Sequence, residues 1–222
     1  MSIRENFDLS AYLVIGAENT ARPVDFVVEQ AIRAGFTFIQ IRSKKSDARE
    51  IIYTLKKCAE VIAAVNKDVA LVVNDRLDIA LAAREMGVKV DGVHVGQSDI
   101  PVEVCRKYLG EDSIVGLSAR TENLLEYVKA ADTCADYFGI APLHETATKS
   151  ECKTLISSTE LAEVAKISSL PVVVGGGVKL ADISALVKTG VAGFFVVSAV
   201  SGAENPYVAA KELVDAWNNN RT

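Results

Sequence analysis

Short runs of β-branched and apolar residues recur along the chain, separated by longer segments whose apolar positions return at i, i+3, i+4 and i+7. The runs predict strands over Tyr12–Gly16, Thr37–Arg42, Ala70–Asn74, Gly92–Gly96, Ile114–Ser118, Tyr137–Ala141, Val172–Gly175 and Phe194–Ser198. Helical spacing is plainest over Ala48–Val65 and Leu180–Thr189. Pro101 and Pro206 each suit the first turn of a helix, where a missing N–H costs nothing. The strands are continuously apolar rather than alternating, which is the pattern of a parallel sheet covered on both faces. Eight strands alternate with eight helices at roughly 25 residues per unit, and right-handed crossovers repeated in this way close on themselves. The expected architecture is therefore a single-domain (β/α)8 TIM barrel over residues 1–222, with an open doubly wound sheet as the competitor. The count of eight and the absence of a Pro/Ser-rich linker favour closure.

Composition narrows the function more than the fold. Half of the 222 residues are apolar, too many for a disordered chain. Twenty-four Lys and Arg against 29 Asp and Glu leave a net charge of −5, which excludes a generally basic nucleic-acid binder but permits a local anion pocket. No run reaches the length needed to cross a bilayer, and MSIRENFDLS lacks the apolar core of a secretory signal. Cys58, Cys105, Cys134 and Cys152 are widely spaced, so they read as buried, inert thiols in a reducing cytoplasm.

In a closed barrel, catalytic groups gather at the carboxyl ends of the strands. Seven of the eight predicted strand ends carry polar or glycine-rich residues. Gln40, Arg42 and Lys44 alternate and so share one face, while Lys45 points away toward solvent. Asp75 and Asp99 come from different strands and are predicted to face one another beside Arg42, Lys44 and Lys149. Two carboxylates among cations suit a polyphosphate bound through Mg²⁺, the phosphates supplying the remaining ligands. Arg42 can grip phosphate oxygens bidentately, and the lysines act as mobile point charges. Gly175-Gly176-Gly177, with Val197-Ser198, falls where barrels build a phosphate site after strands seven and eight. His94, flanked by two valines, reads as a hydrogen-bonded interior residue; His144 either lines the pocket or is exposed. Trp217 and Tyr207 read as packing residues of the last helix.

Taken together, these residues resemble the thiamine-phosphate synthase family along nearly the whole chain. The likeness rests on Q-x-R-x-K from Gln40 to Lys44, N-D-R from Asn74 to Arg76, and D-G-V-H-x-G-Q-x-D from Asp91 to Asp99. It continues through Gly116-x-Ser118, T-x-T-K from Thr146 to Lys149, the glycines before Val178, and Val197-Ser198-Ala199. Each is short; their order and spacing are specific. The resemblance implies condensation of 4-amino-2-methyl-5-hydroxymethylpyrimidine diphosphate with a thiazole phosphate, giving thiamine phosphate and pyrophosphate by a dissociative route. It implies that Gln40, Ile41, Arg42, Ser43, Lys44, Asn74, Ser118 and Lys149 contact the pyrimidine diphosphate, and that Asp75 and Asp99 hold Mg²⁺. Thr146, Ala147, Thr148, Gly177, Val197 and Ser198 would surround the thiazole phosphate, and Arg42, Lys44 and Lys149 would carry the catalysis. The partners expected are these small molecules, with no nucleic acid and no membrane; a homo-oligomer is left open.

Three positions depart from the family pattern. Ser43 stands where the family usually has Glu, Arg120 where it typically has His, and Ala141-Pro142-Leu143-His144-Glu145 where glycine and aromatic residues are usual. The competing readings are a thiazole tautomerase relative and a non-catalytic phosphate-ligand-binding barrel. In the tautomerase the proton-transferring His would stand at Arg120, so the absence of that His favours the synthase.

Overall fold

The computed structural model describes residues 3–119, 122–130, 133–145 and 155–221. Eight parallel strands, each paired with its sequence neighbours, close into a barrel as the last pairs with the first. They are β1 (Ala11–Ile15), β2 (Phe38–Ile41), β3 (Ala70–Asn74), β4 (Gly92–Val95), β5 (Ile114–Ser118), β6 (Tyr137–Ile140), β7 (Val172–Val174) and β8 (Gly193–Val196). Closure rules out the open sheet. Around the barrel lie α2 (Val24–Ala34), α3 (Ala48–Val65), α4 (Leu77–Glu85), α5 (Val102–Leu109), α6 (Leu124–Ala130), α7 (Ser158–Ile167), α8 (Ile183–Lys188) and α10 (Pro206–Asn220). Two single turns, α1 (Ile3–Asn6) and α9 (Ser198–Ser201), are additional.

The unbroken apolar strands are explained by what each face meets. Leu13, Ile39, Leu71, Val93, Phe138 and Val174 point outward into one large cluster with the helices. Their alternates Tyr12, Phe38, Val72, Ile114, Tyr137 and Val173 point inward and form a second cluster filling the barrel. Local signals set the helix ends. Asp47 accepts from the Glu50 N–H, and Glu50 reciprocates, in a capping box that starts α3. Pro206 is the first residue of α10 behind the Asn205 cap, while Pro101 stands just before α5. The predicted helix over Leu180–Thr189 is divided: Leu180–Asp182 is a 3-10 turn, drawn tight because the Asp182 carboxylate accepts from the Lys179 N–H at 2.8 Å.

Most strands stop a residue or two short of the predicted ends. Gly16 and Gly175 lie just beyond the strands, and Arg42, Gly96, Ala141, Val197 and Ser198 line the mouth. Cys58 and Cys105 are buried as expected, but Cys134 is exposed, and Cys152 lies outside the described residues. Trp217 is buried, whereas Tyr207 is 38% exposed and packs only in part.

The opposite end of the barrel is closed by structure rather than chemistry. Phe7 stacks edge-on to Phe38 beneath the interior cluster. Just before β6, Asp136 accepts from Arg106 at 2.6 Å, Arg4 at 2.7 Å and the Val115 N–H at 2.7 Å. Just before β4, Asp91 accepts from the Leu71 N–H and pairs with Lys89. Asp91 therefore belongs to the floor of the molecule, although it opens the same short motif as Asp99. Replacing Asp136 by Ala leaves Arg106 buried without its carboxylate, and should cost about 3–5 kcal/mol in a urea melt. The variant's turnover below its unfolding range should stay within twofold, because the charge lost is at the far end of the barrel.

Candidate active site

The carboxyl ends of the strands surround a cavity of about 720 Å³. From β2, Gln40 points inward and is 3% exposed, while Arg42 and Lys44 line the mouth above it. The alternation that puts these three on one face sends Ile41 outward into the helix-facing core. Ile41 can thus reach a ligand only through its backbone. Ser43 donates to the Glu18 carboxylate at 2.8 Å and is not among the lining residues; Lys45 is exposed. At the end of β3, Asn74 accepts from Gln40 Nε2 at 2.6 Å. Asp75 follows at φ 61°, with the Arg76 N–H donating to the Asn74 carbonyl at 2.7 Å across it. That three-residue γ-turn is strained for a side chain with a Cβ, and it aims Asp75 into the cavity. Arg76 turns away and pairs bidentately with Asp78.

After β4, the Asp99 carboxylate accepts from the Gly96 N–H at 2.7 Å, which curls the loop back over the mouth. Asp75 and Asp99 are brought together as the sequence predicts, their carboxyl groups within hydrogen-bonding reach. Burial and then the facing Asp99 push Asp75 up to about 6, against the pull of Lys44 and Arg42. Among the described residues no cluster of three or more metal-binding side chains forms, and Asp75 with Asp99 is the facing carboxylate pair. That donor set fits Mg²⁺, which commonly takes one or two protein carboxylates and fills its shell with water and substrate phosphates.

Across the cavity, Gly176 and Gly177 have φ of 78° and 80° and line the wall with Val197 and Ser198. The Gly176 carbonyl accepts from the His144 N–H at 2.9 Å, so the loop after β6 lies directly on the glycines. A Cβ on Gly176 would come within 2.7 Å of the Pro142 backbone; the glycines are required by fit as well as by turn. His144 is half-buried and bonds Asp182 at 2.9 Å rather than lining the cavity. Ser118, at the end of β5, lines the wall two strands on from Asn74. Thr146, Ala147, Thr148, Lys149 and Arg120 lie outside the described residues.

The arrangement is that of a pocket with a polar floor, a mouth of mixed charge and a glycine-rich wall. The sequence profile of the thiamine monophosphate synthase (TMP-TENI) family matches residues 11–200. The chain belongs to that family. It is 37% identical over 209 residues to the thiamine-phosphate synthase of Methanobrevibacter smithii, covering 94% of this chain and 95% of the relative. Against the thiamine-phosphate synthase of Corynebacterium efficiens, identity is 37% over 219 residues, 99% of this chain and all of the relative. The solved thiamine phosphate pyrophosphorylase of Pyrococcus furiosus superposes with a TM-score of 0.81 at 30% identity, over 95% of this chain and 96% of that one.

One residue that organises the mouth escapes a reading by strand ends. The end of β1 leads to Glu18, on the 3-10 turn Ala17–Asn19. Its carboxylate accepts from Ser43 Oγ and from the Lys44 N–H, both at 2.8 Å. Burial raises this carboxyl, but those hydrogen bonds, one from its own backbone and the charge of Arg42 outweigh it, and the net shift is downward. Glu18 thus clamps the loop that presents Arg42 and Lys44. The acidic partner of this loop thus arrives from the turn that follows the neighbouring strand.

Two outcomes follow from this geometry. Asp75→Asn removes a like charge facing Asp99, so the metal-free variant should melt about 2–4 °C higher at pH 7, about 1 kcal/mol for a chain of this size. Because the folded-state value lies above the usual 3.8, the contribution of Asp75 to wild-type stability is fully present at low pH and is lost as pH rises through about 4–6. That slope should be absent in Asp75→Asn; a parallel slope in both proteins refutes the facing pair. Glu18→Ala should raise KM for the diphosphate substrate about three- to tenfold, and Glu18→Gln, which retains an acceptor, should recover most of it.

Proposed function

We propose that residues 1–222 act as a single catalytic domain that joins 4-amino-2-methyl-5-hydroxymethylpyrimidine diphosphate to a thiazole phosphate, yielding thiamine phosphate and pyrophosphate. The observation that carries this reading is the convergence of Asp75 and Asp99 on one mouth with Arg42 and Lys44. Cations and a carboxylate pair in one place suit a leaving polyanion; they have no evident part in a simple isomerisation, so the tautomerase reading is not favoured. When bound between Asp75 and Asp99, Mg²⁺ would neutralise diphosphate oxygens and so lower the cost of their departure.

The chain's own residues divide the work. Arg42 and Lys44 bind the diphosphate and stabilise the charge that grows on it as the carbon–oxygen bond breaks, the electron pair leaving with the diphosphate. The resemblance assigns the same task to Lys149. Asn74 and Gln40 on one side and Ser118 on the other hold the pyrimidine ring, which feeds electrons to its exocyclic methylene. Gly177, Val197 and Ser198 seat the thiazole phosphate, with Thr146, Ala147 and Thr148 as the resemblance implies. The thiazole nitrogen then attacks the methylene and forms the new carbon–nitrogen bond. No general base is required. Excluding water protects the cation, and orientation supplies the rest of the rate.

The reaction is tested by incubating the protein with both substrates and Mg²⁺ and quantifying thiamine phosphate and pyrophosphate, which should appear in equal amounts. Asp75→Asn, Asp99→Asn and Lys149→Ala should each lower kcat/KM by at least tenfold, the two Asp variants with a higher Mg²⁺ requirement. Binding of thiazole phosphate without pyrophosphate release would support the non-catalytic barrel instead.

A further inference from the structure

Beneath the mouth, a chain of hydrogen bonds crosses the barrel through side chains from six strands. Asn74 bonds Gln40 at 2.6 Å, Gln40 bonds the Tyr12 hydroxyl, and Tyr12 bonds Tyr137 at 3.0 Å. Tyr137 bonds His94 Nδ1 at 2.9 Å, and His94 Nε2 bonds Ser118 Oγ at 3.0 Å. The barrel is hollowed to admit it. A Cβ on Gly116 would fall 2.4 Å from the Tyr137 oxygen and 2.5 Å from His94 Nδ1, and one on Gly139 would fall 2.9 Å from His94 Cε1. Both phenols are fully buried, and burial drives each far above its ordinary value, so each holds one proton.

One proton per hydroxyl makes the chain directional. Gln40 gives an N–H to Asn74, so its carbonyl oxygen faces Tyr12, which must donate to it. Tyr12 then accepts from Tyr137, and Tyr137, its proton spent, accepts from His94 Nδ1–H. His94 Nε2 is left bare and accepts from Ser118. We propose that Tyr12, Tyr137 and His94 are positioning residues that fix this direction, so that the floor offers amide N–H groups at Asn74 and Gln40 and a hydroxyl lone pair at Ser118. Such a floor selects a ring carrying an acceptor nitrogen beside an amino donor. The reversed chain would turn the Asn74 oxygen and the Ser118 proton toward the ligand and would select the corresponding oxo ring. This rests on the pyrimidine reading above and adds what decides between aminopyrimidine and oxopyrimidine.

The test uses the whole protein. With only two histidines in the chain, ¹⁵N-histidine spectra of the ligand-free enzyme are assigned by one His144→Gln variant. His94 should carry its proton on Nδ1 with Nε2 bare, and Tyr137→Phe should shift it toward Nε2. A proton on Nε2 in the wild type, or an imidazolium at pH 7.5, overturns the proposal. In turnover, Tyr137→Phe and Tyr12→Phe should raise KM for the aminopyrimidine diphosphate at least tenfold and leave KM for thiazole phosphate within twofold. They should also cut the wild-type preference for the amino over the 4-oxo substrate at least tenfold. An undiminished preference in a folded variant counts against the relay. If the wild type makes no thiamine phosphate at all, the function fails while the tautomer result still stands or falls on its own.

Discussion

The closed interior of the barrel has to be filled, and half-way up its axis the filling changes from apolar to polar. Phe38, Val72 and Ile114 pack the lower part, with Phe7 sealing the base. Tyr12 and Tyr137 stand at the boundary, their rings in the apolar cluster and their hydroxyls bonded to each other and to the polar side chains above. A buried hydroxyl without a partner costs about 1–3 kcal/mol, so rings at this level oblige the next layer to be polar. Gln40, His94, Asn74 and Ser118 are that layer. The floor of the pocket is thus a consequence of how the core ends, and the cavity above exists because the next inward positions include Gly139 and small side chains.

Charges are handled in opposite ways at the two ends. At the base, Asp136 is shared by Arg106, Arg4 and a strand N–H, and Asp91 by Lys89 and another; each carboxylate is matched and reinforces a strand start. At the mouth, Asp75 sits in a left-handed backbone conformation with a second carboxylate against it. Folding tolerates that arrangement only because the rest of the barrel over-determines it. Strain and like charge in one place, beside cations, mark the end of the molecule where a multivalent ligand completes the balance.

Much of this is legible in the sequence because the barrel couples period to position. Two-faced burial makes the strands continuous, their number implies closure, and the residues just after each strand reach the mouth whatever the loops do. Gln40, Arg42 and Lys44 could be placed by alternation alone, and the same alternation separates Ile41 from them although the family likeness groups the whole run. What escapes is contact without local pattern. Glu18 reaches Ser43 and Lys44 from a neighbouring strand, and nothing in Ala17-Glu18-Asn19 announces it. Tyr12 and Tyr137 lie 125 residues apart, so their pairing exists only once the barrel closes. His94 reads correctly as interior, yet nothing local points to Tyr137 or Ser118 as its partners. Cys134 and Tyr207 err for the reverse reason: thiols and aromatic rings are usually buried, and a general preference does not fix a particular face.

The separation of floor from mouth suits a reaction in which charge leaves before the new bond forms. A ring that supplies electrons to its own methylene must stay in one orientation while its diphosphate is drawn away, so the groups that hold the ring should not move with those that follow the anion. Here Gln40, Asn74 and Ser118 are locked to rigid strands through buried partners, whereas Arg42 and Lys44 stand on a loop above them, tethered by Glu18. A buried hydrogen-bonded layer changes little during a turnover, and a loop cation can follow a departing oxygen over the distance that opens. Placing recognition in the core and charge on the rim lets one barrel do both, because neither task compromises the packing that serves the other.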